Sequence, residues 1–498
     1  MFYTTSGHAW TLAFASFLLY RLYIVLYNLY LHPLRKVPGP WLWSISWIPK
    51  VWRNNVVGTH WSHLKTLHEK YGPVVRVGPD EVSFTSATAW DDMQGRRGSR
   101  SAEFERDPKF FIVTQIDQRD SLLSPVKEEH SMIRRMLLPA FADRAMVRQE
   151  AILLDWADRF LQSLHRRKGE SIDIAETYHW TTFDMMGDLA FGESFGCLEN
   201  DRTHYFLDLV TKALPYLSVL HILLRFDMTR LLYTTATRLP WMQSWMDTLD
   251  FAADVAEKRF QRRGEAREDI MTIIWDNAQE RKEKLSRRQA AQLANILCTV
   301  GTETTSTALA GITYWLLKTP HAYAALVTEL RSLKEEELNI RKLAVLPYLN
   351  ACVTEGMRKH TAVAGPTPRV SPKGGALVDG YFIPESTVVG IPQWAAANVA
   401  SNFTKPEYFL PERWLPQGRD EFADDNKKAF NPFGKGTSDC LGKQLAMTEM
   451  RLVIAKLFYH FDLVLKPESG QWLCHKDARS RLFWNKQSLW VDVRPRAT

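Results

Sequence analysis

Apolar positions recur with helical spacing over three long stretches, Gln292 to Leu317, Leu346 to Lys359 and Leu441 to Phe461. In the last of these, Ala446, Met450, Val453, Leu457 and Phe461 follow 4, 3, 4, 4 spacing, and further apolar residues occupy the other faces, so a deeply buried helix is expected. Strand-like runs are short: Val74 to Val77, Val82 to Thr85 and Thr387 to Ile391. The pattern predicts a mainly α fold with small β-sheets. Past residue 41 there is no low-complexity linker, internal repeat or break in composition, so residues 41–498 read as one large unit.

The N-terminus carries a different pattern. Ala9 to Leu31 is 23 almost wholly apolar residues, which as a helix would span about 34 Å, enough to cross a bilayer. Arg21 interrupts it and would cost about 3 kcal/mol at the bilayer centre unless it snorkels or pairs. A secretory signal is the other reading, but no Lys or Arg precedes the apolar run and no small-residue cleavage site follows it cleanly. Residues 1–31 therefore read as a retained membrane anchor. Arg35 and Lys36 just beyond it place the body in the cytosol by the positive-inside rule. Residues 32–40 hold Pro33, Pro38 and Pro40 and read as a stiff, proline-rich hinge. The sequon Asn402-Phe403-Thr404 is expected to stay bare in that topology.

Composition narrows the classes. The chain is 498 residues long, 45% apolar and 24% charged, which fits neither a disordered nor a multi-span membrane protein. The five cysteines, Cys197, Cys298, Cys352, Cys440 and Cys474, are odd in number and scattered, so a disulfide framework or zinc cluster is not expected. A formal charge of +7 without a dense Lys/Arg stripe argues against nucleic acid and leaves acidic proteins or anionic lipid as companions.

Chemistry concentrates in FNPFGKGTSDCLG, residues 430–442. Gly434, Gly436 and Gly442 let the backbone fold tightly, and Cys440 stands at the start of the buried helix, where the dipole and nearby amides favour thiolate. A thiolate presented to a close-approaching planar group suits an axial iron ligand, whereas taken alone the position reads as a buried free cysteine. Glu355 and Arg358, at i and i+3, share a helix face and would pair; alone, that spacing is a surface salt bridge. Thr304 falls four residues after Val300, on the face of Leu293 and Leu297. A mid-helix threonine ordinarily bonds back to the i−4 carbonyl.

Together these segments resemble the cytochrome P-450 superfamily, the haem-thiolate monooxygenases. Phe433, Gly436, Cys440 and Gly442 match its F-x-x-G-x-x-x-C-x-G haem loop; Glu355-Gly356-Met357-Arg358 its E-x-x-R helix; Pro411-Glu412-Arg413-Trp414 its P-E-R-F/W segment; and Val300-Gly301-Thr302-Glu303-Thr304 its oxygen-binding motif. TYHWTTFDMMGDLAFGESFGCLE and YNLYLHPLRKVPGP look like microsomal fungal members acting in secondary metabolism. The resemblance implies haem b bound through Cys440, with Phe433, Gly434, Gly436 and Gly442 shaping the loop. It also implies a buried network of Glu355, Arg358 and Arg413. Glu303 and Thr304 would handle protons, with a helix opened locally at Gly301.

The same resemblance implies a site in the endoplasmic reticulum membrane, dioxygen as co-substrate, and electrons from NADPH through an NADPH–cytochrome reductase drawn by Lys435, Lys443 and Arg135. One oxygen atom would enter a sizeable apolar molecule, a terpenoid, indole alkaloid or polyketide. The pocket is expected around Gly98 to Leu123 and Thr203 to Trp245. Two departures stand out: Ser438 where the family places a cation for a haem propionate, and Val300 where it places Ala or Gly. The resemblance gives His130, Arg134 and Arg369 as the remaining propionate partners. Two rival functions are a haem-thiolate isomerase or dehydratase without external oxygen, and a non-catalytic membrane haem-binding protein.

Overall fold

All three strongly periodic stretches are helices. Pro347–Lys359 and Lys443–His460 lie within two residues of the expected bounds. The third runs from Arg287 to Lys318 in three pieces: an α-helix Arg287–Ile296, a π-turn Leu297–Gly301 and an α-helix Thr302–Lys318. The computed structural model describes residues 2–95, 104–111, 122–124, 126–226, 240–262, 269–281, 285–473, 478–481, 483–485 and 487–496. The main core gathers Ile133, Phe160, Phe183, Leu309, Val353 and Phe458 from six helices. Lys443–His460 runs through that core with buried residues on every face, among them Met450, Val453, Ile454 and Leu457. All-round burial is what its apolar pattern required.

Small sheets flank the helices. The largest has five strands in the order Val74–Gly78, Glu81–Phe84, Val388–Gly390, Arg369–Val370 and Glu105–Arg106. Val82 pairs in parallel with Val389, and the remaining neighbours are antiparallel. Three further strands, Ser171–Asp173, Trp490–Pro495 and Phe461–Leu465, form a second sheet. The hairpin Ala376–Val378 with Tyr381–Ile383 turns on Asp379 and Gly380 at φ +49° and +79°, the left-handed pair that an Asp-Gly hairpin turn uses.

The apolar N-terminal stretch is helical from Phe2 to Leu26 and continues as a π-turn, Tyr27–Leu31. Trp10–Leu31 is long and apolar enough to cross a membrane, and only 6% of its apolar window is buried, so it does not serve as a core helix. Its C-terminal end is nevertheless fixed to the body. Buried Arg76, on the first strand, donates to the Asn28 carbonyl at 2.9 Å and to Asn28 Oδ1 at 3.2 Å. Residues 32–40 then lie against that strand: Leu34 and Val37 join its apolar cluster, and Arg76 N–H donates to Pro38 O at 2.7 Å. The sequon asparagine is sealed as well. Asn402 is buried, its amide donating to Thr85 O at 2.7 Å and Ala396 O at 2.9 Å, so an oligosaccharide has no access in either topology.

Candidate active site

The loop before Lys443–His460 is shaped by backbone contacts. Cys440 N–H donates to Phe433 O at 2.8 Å, closing the loop on itself, and Gly434 and Gly436 lie at φ +73° and +77°. A Cβ on Gly436 would stand 1.8 Å from Gln94 O, so only glycine fits there. Phe433 packs half-buried against the main core. The helix begins at Lys443 with Gly442 as its N-cap, so Cys440 precedes the first turn rather than opening it.

That offset matters electrostatically. Crowding of the loop around the sulfur pushes the Cys440 thiol above its ordinary value, with the Asp439 carboxylate adding, although the residue itself touches solvent. The Gly442 N–H, Arg134 and Lys443 oppose this without overcoming it. The helix end alone therefore does not favour thiolate here, whereas a bound metal cation would. Cys440 is the exposed one among the described cysteines; Cys197, Cys298 and Cys352 are buried, their thiols pushed up chiefly by burial. Cys474 lies outside the described residues.

Expected propionate partners are distributed around this loop. Arg134, on the helix Lys127–Leu137, donates to Asp439 O at 2.6 Å and pairs with the Asp439 carboxylate. It thus brings a cation to the residue beside Ser438, which is half-buried in the turn Gly436–Ser438. His130 is buried one turn earlier on the same helix. Arg369 donates to Phe104 O at 3.1 Å from the sheet, directly opposite Arg106 in the strand pair.

Arg106 had no signal in the sequence. Burial, and then repulsion from Arg369 and Arg134, hold its guanidinium down at about 10. Arg106 itself donates to the Leu122 and Ser124 carbonyls at 2.7 and 3.3 Å; like charges opposed across a strand pair are unfavourable unless an anion joins them, so three guanidiniums that repel one another suit a dianionic group. Thiol, tight glycine loop and cationic cluster together fit haem b, whose two carboxylates and iron they would hold. Arg106→Met is accordingly expected to speed haem loss by roughly tenfold to a hundredfold, the equivalent of one charge-assisted bond. Transfer of haem to an excess acceptor protein, followed spectroscopically, measures it; an unchanged rate removes Arg106 from the site.

The long helix supplies the second half. Thr302–Lys318 packs against Lys443–His460, and Thr305 hydrogen-bonds Glu449 between them. The π-turn Leu297–Gly301 is the local opening expected at Gly301, and it ends where Glu303 and Thr304 begin. Thr304 Oγ1 donates to Val300 O at 2.8 Å, the ordinary bond of a mid-helix threonine, and Val300 is half-buried. Glu303 is 4% exposed, and its Oε1 lies 2.8 Å from His179 Nε2 on the helix Ile174–Phe191.

Behind the cysteine loop, Glu355, Arg358 and Arg413 form the expected network with no exposed side-chain surface. Arg358 forks onto both Glu355 oxygens at 2.8 and 2.9 Å, and Arg413 reaches Oε1 at 3.2 Å. Burial pushes the Glu355 carboxyl up, but Arg358, Arg413 and the Leu410 N–H together pull it below the ordinary carboxylate range. Two further members join the network: Trp414, the last residue of the Pro411–Trp414 motif, donates from Nε1 to Glu355 at 2.9 Å, and Asp425, outside every motif, pairs with Arg413.

Of the lysines expected to attract a reductase, Lys435 is paired with Asp91. Cys440 borders an open groove with Arg134, Leu138, Phe141, Leu441 and Lys443. Residues 98–103, 112–121 and 227–239 of the expected substrate pocket lie outside the described residues.

The comparisons with known proteins agree on one family. A family-wide profile, Cytochrome P450, matches residues 33–488. The chain is similar to cytochrome P450 monooxygenase efuB of Hormonema carpetanum, 34% identical across 96% of this chain and 94% of that one. It is equally similar, at 34%, to trichothecene C-15 hydroxylase of Fusarium sporotrichioides across 96% of each, and to averantin hydroxylase of Dothistroma septosporum across 97% of this chain and 90% of that one. Among solved structures, the haem domain of cytochrome P450DA superimposes with a TM-score of 0.73 over 93% of this chain and 97% of that one, at 19% identity, and shares the fold. With relatives this similar over nearly their whole length, and a glycine-shaped cysteine loop set behind a motif-bearing helix, the chain belongs to the cytochrome P450 family and is a haem b monooxygenase.

Proposed function

We propose that the chain is a membrane-anchored monooxygenase of fungal secondary metabolism that puts one atom of dioxygen into a sizeable apolar substrate, drawing electrons from an NADPH-dependent reductase. Haem b, when bound through Cys440, supplies the oxygen-activating chemistry, which needs protons as well as electrons. The chain's own residues decide how those protons arrive. The observation that carries the reading is the opened turn Leu297–Gly301 followed at once by a buried acid, Glu303, and a hydroxyl, Thr304. An isomerase or dehydratase without external oxygen has no need of that pair. Cys440 and the Gly442 N–H orient the sulfur, Phe433 and the glycine turns fix the loop, and Arg106, Arg134, Arg369 and His130 hold the carboxylate edge.

Equal identity to relatives named for averantin and for a trichothecene leaves the substrate open beyond its apolar class. The apolar Trp10–Leu31 helix supports attachment to a membrane, with the endoplasmic reticulum as the proposed location. Reconstitution with a reductase, NADPH and isotopically labelled dioxygen tests the whole reading. Candidate apolar substrates should gain one labelled atom, and unlabelled product or reaction without oxygen would overturn it.

Thr304→Ala should leave the haem spectrum intact while turning most of the NADPH consumed into peroxide, since a proton donor positioned for the chemical step is worth about a hundredfold or more. Product and peroxide formed per NADPH are the measurements. Equal product yield in the variant would take Thr304 out of the proton path.

A further inference from the structure

We infer that His179 is a positioning residue for Glu303: it holds the acid on the side of the helix Ile174–Phe191, so that the carboxylate stays charged and in one orientation next to Thr304. This rests on the proton-handling role proposed above for Glu303 and Thr304. Both partners are buried, Glu303 at 4% and His179 at 7% exposure, and the imidazole Nε2 lies 2.8 Å from the carboxylate oxygen. A carboxylate taken from water tends to become neutral, whereas a hydrogen bond to its charged form reverses that tendency and fixes its rotamer.

The height of His179 along the long helix is set by its neighbours rather than by the pair itself. Tyr178 OH meets Thr313 Oγ1 at 2.8 Å, Thr182 Oγ1 lies 3.3 Å from Thr302 O, and Met186 lies so close to Gly301 that a Cβ there would stand 3.1 Å from its Cε. Asp173 caps the start of the His179 helix by accepting from the Ala175 and Glu176 N–H groups, and Gly192 at φ +71° ends it. The two helices are therefore held together without His179. What the histidine adds is a ring nitrogen at hydrogen-bond distance from the acid that follows the π-turn, where the helix has lost its regular ladder; with its proton on Nε2 it donates to that acid. Any turn of the Glu303 carboxylate toward Thr304 is made against this bond, so His179 biases how the acid is presented.

The test uses full-length haem-loaded protein and four variants: His179→Leu, His179→Gln, Glu303→Gln and the double Glu303→Gln/His179→Leu. In His179→Leu the infrared spectrum should gain the carbonyl band of a protonated carboxylic acid, and the double variant should lack it. Reductase-supported oxygen consumption should fall by about tenfold or more, with a larger solvent deuterium isotope effect. His179→Gln, which keeps a donor, should recover most of both. The reduced, carbon-monoxide-treated spectrum should match wild type throughout. A His179→Leu protein with no new band and a wild-type isotope effect overturns the inference, as does a His179→Gln protein as impaired as His179→Leu. If Thr304→Ala and Glu303→Gln both leave product per NADPH untouched, the proton-handling role itself fails and this inference falls with it; if they alter it and His179→Leu does not, only the positioning role is lost.

Discussion

Glu355→Ala is expected to yield protein that retains almost no haem and unfolds at markedly lower denaturant concentration. The carboxylate is wholly buried and accepts from Arg358, Arg413, Trp414 and the Leu410 N–H. Removing it leaves two guanidiniums in the interior with no shared counter-charge, a change that costs about 3–5 kcal/mol, against a total stability of about 5–15 kcal/mol. The damage reaches Cys440 because residues 399–438 consist largely of turns and short 3₁₀ segments and depend on these polar ties. Arg358 also donates to the carbonyls of Ala397, Pro406 and Tyr408, and Arg413 to that of Thr404. Glu355→Gln keeps the shape and an acceptor but not the charge, so it should fall between the two. Haem per mole of purified protein and the urea midpoint measure the effect; wild-type values for Glu355→Ala would show that the network is dispensable.

Cys440→Ser should spare the fold and abolish the thiolate. The sulfur accepts a bond from the Gly442 N–H, which a hydroxyl can also accept, and the residue is exposed, so stability should change by less than about 1 kcal/mol. The reduced, carbon-monoxide-treated variant should lose the red-displaced absorption of a thiolate-ligated haem, and oxygen insertion should stop. No other described cysteine can substitute: Cys197, Cys298 and Cys352 are buried with thiols held protonated. An unaltered spectrum would refute the assignment of the iron ligand.

What the residue pattern disclosed tracks where one physical effect dominates. Lys443–His460 was legible because burial on all faces writes an apolar helix, and the hairpin Val74–Gly78 with Glu81–Phe84 because valines and a phenylalanine crowd two short segments on either side of a Gly-Pro-Asp turn. The two-residue strands Glu105–Arg106 and Arg369–Val370 were not, since two residues carry no period and pairing is decided by distant partners. Arg106 was hidden for the same reason: its meaning lies in two other arginines, at 134 and 369, that only the fold brings near. His179 lay inside a quoted stretch yet gave no sign, because its partner is 124 positions away. Placing Cys440 at the helix's first turn overestimated the dipole; the first helical residue is Lys443, and the local amide of Gly442 takes over.

The grip of Arg76 on Asn28 makes the N-terminal rod and the globule a single lever. Any bilayer that takes up the rod dictates the inclination of everything beyond it, because no slack intervenes between residue 28 and the first strand. Shortening or lengthening the rod by one residue would then shift the height of the globule over the lipid by about 1.5 Å while the same face stays turned toward it.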